Sequence, residues 1–213
     1  MTPTPEIAAK VVMILGKRYP QKGDMDLGTA EDTLLGVLMS ARTTDVQVLR
    51  VFPAFRKRFP TWESLARASV AEIAARINTI GLYRSKAKAI KGLAQNILKE
   101  FRGKVPRTMD ELTSLPGVGR KTASCVLSYA FGIPAIAVDT HVFRIIRRLG
   151  WSRANNPEKM EKDLRTLIPQ KNWNDVNRSM VRFGRDICVA RTPQCWRCPV
   201  AKWCAYERKT PKP

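Results

Sequence analysis

Four cysteines crowd the end of the chain: Cys188, Cys195, Cys198 and Cys204, spaced C-x6-C-x2-C-x5-C with Pro199 directly after the third. A chain of 213 residues with 44% hydrophobic residues can bury a core without staples, and its five cysteines are an odd count, so a disulfide scaffold is a poor account of them. The spacing asks the segment to close around a metal centre. Zinc ribbons favour two C-x2-4-C knuckles and this run holds one, which favours a four-iron cluster and leaves zinc as the alternative. In either case the metal is structural, fixing a loop whose Arg191, Arg197 and Lys202 can lie along phosphates. The fifth cysteine, Cys125, falls on an apolar helical stretch and is expected to be buried.

Ahead of that run the apolar spacing is helical nearly everywhere. Ile7, Val11, Ile14 and Leu15 share one helix face, as do Ile90, Leu93, Ile97, Leu98 and Phe101. Ser69 with Glu72 and Thr108 with Glu111 have the spacing of capping boxes, and Asn156 with Pro157 opens a further helix. Gly103, Gly132 and Gly150 each follow a periodic segment and suit the left-handed position after a helix. The pattern predicts helices at 5-18, 30-41, 45-59 with a break or kink near Pro53, 61-67, 70-78, 84-101, 109-113, 120-131, 140-149, 157-167 and 173-187. No strand and no repeat of solenoid length is visible, so the expected class is all-α.

The formal charge is +20, and without a long basic tail the cations must sit on folded surface. Residues 134-213 carry the largest share, 17 basic against 7 acidic. Such a field attracts polyanions, and nucleic acid is the leading partner; a merely solubilising basic surface is the bland alternative. Met1 to Pro5 does not read as a signal peptide, Val11 to Leu15 is too short for an apolar segment, and no stretch is long enough to span a membrane. A soluble, intracellular protein without membrane attachment is expected.

Two motifs carry chemistry. In TSLPGVGRKTA, Thr113 to Ala123, a short helix meets Pro116, and Gly117 and Gly119 flank Val118 before a new helix begins. A hairpin that empties into a helix N-terminus aims N-H groups and the helix dipole at one spot, where a phosphate oxygen can be held; the plain alternative is an ordinary interhelical turn. Lys121 falls in the first turn of the second helix, where the positive helix end disfavours a charged side chain. An uncharged amine beside a phosphate grip is a nucleophile within reach of a sugar carbon, although the same lysine suits a simple phosphate contact. In VDTHVFR, Val138 to Arg144, Asp139 suits an N-cap. It also suits a carboxylate that steadies positive charge on a sugar or exchanges protons with Lys121. His141, the one histidine, lacks partners at metal-ligand spacing and reads as a phosphate or capping contact or as packing.

LPGVGRKTA, VDTHVFR and the four-cysteine run, in that order and spacing, resemble the endonuclease III branch of the helix-hairpin-helix DNA glycosylases over nearly the whole chain. The resemblance implies two helical domains with DNA across the cleft between them. One is a six-helix barrel at 23-133, with the helix-hairpin-helix at about 109-131; the other is an iron-sulfur cluster domain made from residues 1-22 and 134-213. It further implies a base-excision repair glycosylase that removes oxidised pyrimidines and, through a lysine Schiff base, acts as an AP lyase by β-elimination. Lys121 is then the nucleophile, Asp139 its carboxylate, and Cys188, Cys195, Cys198 and Cys204 the ligands of a [4Fe-4S] cluster. The carbonyls of Thr113, Leu115 and Val118 hold a monovalent cation bridging to phosphate, helped by the N-H groups of Gly117 and Gly119, and His141 contacts phosphate. Leu82, in GLYRSKA, matches a wedge that enters the base stack, although its pattern alone reads as core. Arg42, in LMSARTTDVQ, stands where bacterial members usually carry a glutamine that fills the hole left by the flipped base, which leaves lesion range and opposite-base preference open. The implied partner is double-stranded DNA with damaged bases or abasic sites, met by a monomer in the cytoplasm at the nucleoid. A thymine-mismatch or pyrimidine-dimer glycosylase of the same superfamily remains an alternative, as does a non-catalytic DNA-binding module with a zinc-held loop.

Overall fold

The computed structural model describes residues 3–20 and 23–212. Met1, Thr2, Gln21, Lys22 and Pro213 lie outside the described residues, and with them the expected start at Met1 and one side of the expected 22/23 boundary. Eleven α-helices follow one another among the described residues: α1 (Pro5–Arg18), α2 (Ala30–Ser40), α3 (Asp45–Arg58), α4 (Trp62–Arg67), α5 (Val70–Arg76), α6 (Tyr83–Phe101), α7 (Met109–Ser114), α8 (Arg120–Ala130), α9 (Thr140–Leu149), α10 (Pro157–Leu167) and α11 (Trp173–Asp186). No strand occurs among them, and no helix is long and apolar enough to cross a membrane. The fold is all-α, and each helix end falls within two residues of its expected place.

Side-chain caps start most of these helices. Thr4, Thr29, Thr44, Thr61, Ser69, Thr108, Asp139 and Asn156 each accept a backbone N-H from the first turn, contributing about 1 kcal/mol apiece. The Ser69/Glu72 capping box is complete. The Thr108/Glu111 box is not: Thr108 accepts the Glu111 N-H, but its hydroxyl donates to the Glu111 carboxylate at 2.7 Å, so that carboxylate is engaged by the side chain. A second complete box, Thr61 with Ser64, escaped the Glu/Gln pattern because serine takes the acidic position. Of the break or kink expected near Pro53, the break is absent, and α3 runs through the proline as one helix. Pro53 is exposed, so the Leu49 carbonyl that loses its N-H partner lies on the solvent side, where water can take the missing bond.

The chain divides into two compact units, Met1–Gly23 with Gly132–Pro213, and Asp24–Phe131. The first is built from both chain ends because α1 supplies Ala8, Val11, Val12 and Leu15 to a core shared with α9, α10 and α11. Tyr19, at the end of α1, adds a polar tie by donating to Asp186 Oδ2 at 2.6 Å. That bond, followed by the Arg197 guanidinium, holds the Asp186 carboxyl below the usual range. In the second unit α2 is buried from Thr33 to Ser40 and packs on α3, α6 and α8, while α4 and α5 pack on α6. A helix buried on every side is the centre of its layer rather than a surface element.

One buried group in the second unit is costly. Lys86 of α6 is only 5% exposed, and burial brings its ammonium down from 10.5 to about 8. Below the folded value both folded and unfolded chains carry the proton and the burial penalty is fully present. As pH rises from about 8 toward 10.5 the folded chain sheds it first and the penalty is relieved. Wild type is therefore expected to gain stability relative to Lys86→Met across that interval. Paired thermal melts at pH 7 and above check this; a constant difference between the two proteins would refute it.

Candidate functional site

The hairpin forms as the sequence implies. α7 ends at Ser114, Leu115 leaves the helix, and Val118 N-H donates to the Leu115 carbonyl at 3.1 Å, closing the turn before Gly119 caps α8. Gly117 is fixed for two reasons. Its φ is +77°, and a Cβ there would stand 2.8 Å from Ala89 Cβ. Gly119 meets neither condition, since a Cβ there would meet no atom within 4 Å. Nothing inside the unit demands glycine at that position, and α8 has no side-chain cap at its start. The Leu115 carbonyl keeps a second lone pair beyond the bond to Val118, which is compatible with a cation there. The Thr113 hydroxyl turns back to the Met109 and Asp110 carbonyls at 2.9 and 3.1 Å. Lys121 follows on the second position of α8, exposed. Cys125 is buried, as expected.

In the same unit the loops that carry Arg42 and Leu82 meet. A Cβ on Gly81 would lie 3.0 Å from the Arg42 carbonyl and 3.1 Å from Thr43 Oγ1. Leu82 is 55% exposed, against the core pattern of its surroundings, and Arg42 is exposed beside it. Both are non-glycine residues in the left-handed region, at φ 58° and 54°.

In the other unit Asp139 begins α9, and its Oδ1 accepts the Val142 N-H at 2.8 Å, so the capping role is real. Oδ2 carries no hydrogen bond among the described residues and remains for other chemistry. The run before it is held by Asn177, whose amide donates to the Ala137 carbonyl at 2.9 Å. His141 Nδ1 lies 3.1 Å from Arg144 Nη2, a cationic donor, which makes Nδ1 the acceptor and puts the proton on Nε2. Arg144 also donates to the Gly184 and Cys188 carbonyls, and Arg148, one turn on, reaches the Val189 and Ala190 carbonyls at 2.7 and 2.6 Å. These two arginines, with Asn177 and Lys86, are the residues that sequence reasoning missed. The arginines' four-residue spacing on α9 was the available signal, but it does not identify the carbonyls they satisfy.

Cys188, Cys195, Cys198 and Cys204 line one pocket, walled by Ile145, Leu149, Phe183, Ile187, Pro193 and Val200. Burial pushes the Cys198 thiol up to about 11 and raises Cys204 as well, so thiolates there need a positive centre to persist. Arg148 Nη1 lies 3.3 Å from Cys188 Sγ, a donor of the kind that steadies a ligating sulfur. No group of three or more His, Cys, Asp or Glu among the described residues is tight enough for one metal ion. A four-iron cube takes its thiolates at separate corners, so four sulfurs around one largely apolar pocket fit the cube. Arg197, expected on phosphate, donates to Gln194 Oε1 and Asp186 Oδ1, both at 2.6 Å, and braces the first cluster loop; it is exposed, as is Arg191.

The HhH-GPD family model, a superfamily of base excision DNA repair proteins, matches residues 35–170, and the iron-sulfur binding domain of endonuclease III matches residues 188–204. Endonuclease III of Synechocystis sp. is 42% identical over 199 residues, covering 92% of this chain and 91% of the relative. Two solved endonuclease III complexes with DNA, one non-covalent and one a trapped covalent intermediate, each match at TM-score 0.88 and 37% identity, over 94% of this chain and 95% of theirs. A thermostable thymine-DNA glycosylase matches at TM-score 0.85 and 27% identity, over 95% of both chains. The chain belongs to the HhH-GPD superfamily of base excision DNA repair proteins and, within it, to the endonuclease III family of DNA glycosylase/AP lyases, with a [4Fe-4S] cluster as its cofactor.

Proposed function

We propose that this base-excision repair glycosylase removes oxidised pyrimidines from double-stranded DNA and cuts the strand at the abasic site it makes, with Lys121 as nucleophile and Asp139 as its carboxylate. The observation that carries this reading is Lys121 itself: an exposed amine in the first turn of α8, directly behind a hairpin whose Gly119 leaves its backbone uncovered. The hairpin grips the strand through the Gly117 and Gly119 N-H groups and through a monovalent cation on the Thr113, Leu115 and Val118 carbonyls. His141 contacts a phosphate, and Arg191 adds charge along the strand. Arg42 fills the space left by the extruded nucleotide and Leu82 enters the stack, while the weakened stacking of a damaged base lowers the cost of extrusion.

Uncharged Lys121 Nζ bonds to C1′ as the C1′–N bond to the base breaks and its electron pair leaves with the base, which takes up a proton. Asp139 Oδ2 faces the positive charge that develops on the sugar and accepts the proton the amine releases. Opening of the C1′–O4′ bond gives an imine. Loss of the C2′ proton then expels the 3′ phosphate by cleavage of the C3′–O bond, and water returns the free lysine. When bound, the [4Fe-4S] cluster cross-links the segment between Cys188 and Cys204. The chain works as a monomer on DNA in the cytoplasm, at the nucleoid.

The test is a panel of duplexes, each with one defined lesion against each of the four bases, treated with borohydride. Wild type is expected to give a covalent adduct on oxidised pyrimidines, and Lys121→Gln to lose adduct and strand cleavage while keeping DNA affinity. Adducts confined to mispaired thymine or to pyrimidine dimers would favour those substrates, and a Lys121→Gln protein that still cleaves would remove the lysine from the mechanism. Asp139→Asn separates capping from chemistry. Asparagine caps as well as aspartate to within about 0.5 kcal/mol, so the melting temperature is expected to hold while base removal falls by about 10²-fold or more. Purified protein should be yellow-brown with about four irons per chain, and a colourless, zinc-loaded sample would overturn the cluster assignment.

A further inference from the structure

Lys86 is the buried cation that the mechanism above leaves unused. It lies on the second turn of α6 at 5% exposure, and its backbone N-H bonds to the Leu82 carbonyl at 3.0 Å, in the normal way of a helix. Its side chain leaves the helix: Nζ donates to Thr43 Oγ1 at 2.7 Å, and Thr43 Oγ1 makes a long onward bond to the Gly81 carbonyl at 3.5 Å. Gly81 is in turn pressed on the Arg42 carbonyl, where a Cβ would stand 3.0 Å away. One ammonium and one hydroxyl thus join the 41–44 loop to the 78–82 loop.

Two features make this tie more than packing. Arg42 and Leu82 are both left-handed and exposed, so burial of their own side chains does little to hold them in that strained form. Such residues persist only where the neighbouring structure over-determines them, and the Lys86–Thr43–Gly81 chain lies between the two. The tie also has a cost, because burial disfavours the charged amine and a methionine of similar length would fill the same space without that penalty.

We infer that Lys86 is a positioning residue which, through Thr43, locks the two loops into one platform and presents Arg42 and Leu82 side by side to the duplex. The inference rests on the reading that those two side chains enter the DNA. Lys86 touches no substrate; it sets how reliably the damaged nucleotide is extruded and the gap filled. Its loss therefore falls hardest on the step that needs an intact base pair opened, and less on a strand that already lacks the base.

The experiment compares holoenzyme wild type, Lys86→Met, Thr43→Val and Thr43→Ser with Arg42→Ala and Leu82→Ala. Single-turnover base removal from an oxidised pyrimidine is set against strand cleavage at a pre-formed abasic site, with 2-aminopurine opposite the lesion reporting disruption of the pair. Lys86→Met and Thr43→Val are expected to lower base removal about tenfold more than abasic-site cleavage and to blunt the fluorescence rise, whereas Thr43→Ser, which keeps the hydroxyl, restores both. A parallel fall in both activities, tracking a lower melting temperature, marks a general structural role and overturns the inference, as does a wild-type ratio in Lys86→Met and Thr43→Val. Should Arg42→Ala and Leu82→Ala leave the fluorescence unchanged, the reading beneath it fails and the inference falls with it. Should those two variants respond while Lys86→Met and Thr43→Val do not, the inference alone fails.

Discussion

The first turn of every helix holds N-H groups that the helix itself cannot satisfy, and the way this chain meets that demand separates its scaffold from its working parts. Eight helices begin with a Ser, Thr, Asp or Asn that accepts one of those donors. α11 begins from a 3-10 turn, Gln170–Asn172, that leads straight into it. The two that remain, α6 and α8, begin at Leu82 and Gly119 with no side-chain cap. An uncapped start is a loss of about 1 kcal/mol in a protein that spends serine and threonine freely on the others. At α8 the open donors and the positive end of the helix suit a phosphate, which supplies what a cap would have supplied.

The opposite ends of helices pose the converse problem, and arginine solves it in the unit made from both chain termini. Arg144 and Arg148 take the carbonyls of Gly184, Cys188, Val189 and Ala190, where α11 runs out into the cluster segment. Arg197 takes the Asp186 carbonyl and carboxylate, to which Tyr19 also binds. Part of the +20 charge is therefore structural, spent on carbonyls and one carboxylate, and only the remainder is available to a polyanion. The distinction matters for predicting DNA contacts from composition. Arg191 and Arg197 look alike in sequence and are both exposed, yet Arg197 also braces its own loop.

Helix positions and the hairpin were legible in the sequence because they follow from local rules: apolar spacing, cap residues and glycine after a helix. The four cysteines were legible because no packing role requires four thiols so close together. What stayed hidden depends on partners distant in the chain. Lys86 reads as a surface cation of an amphipathic helix until Thr43 is placed against it, and Arg144 and Arg148 read as a basic face until the end of α11 is known. Leu82 shows the limit from the other side. Its apolar character argued for the core, whereas its left-handed φ and exposure are visible only in three dimensions. The domain limits differ by a residue or two from those expected, with Gly23, Gly132 and Ile133 joining the unit made from the chain ends, since a contact boundary need not fall where a motif does.

Under the proposed function, Asp139 makes the scaffold's commonest device part of a reactive group. Seven other helices use the same kind of cap purely to satisfy their first turn, so nothing about the bond from Val142 N-H is peculiar to chemistry. Pinning Oδ1 nevertheless fixes the plane of the carboxylate and the direction of Oδ2, while the Asn177 bond to Ala137 steadies the backbone that delivers it. A carboxylate oriented before the substrate arrives need not be reoriented as charge develops on the sugar, and that saving is the physical meaning of preorganisation. The cap is thus the reason an ordinary aspartate at a helix start can hold one oxygen in a fixed direction with no partner of its own among the described residues.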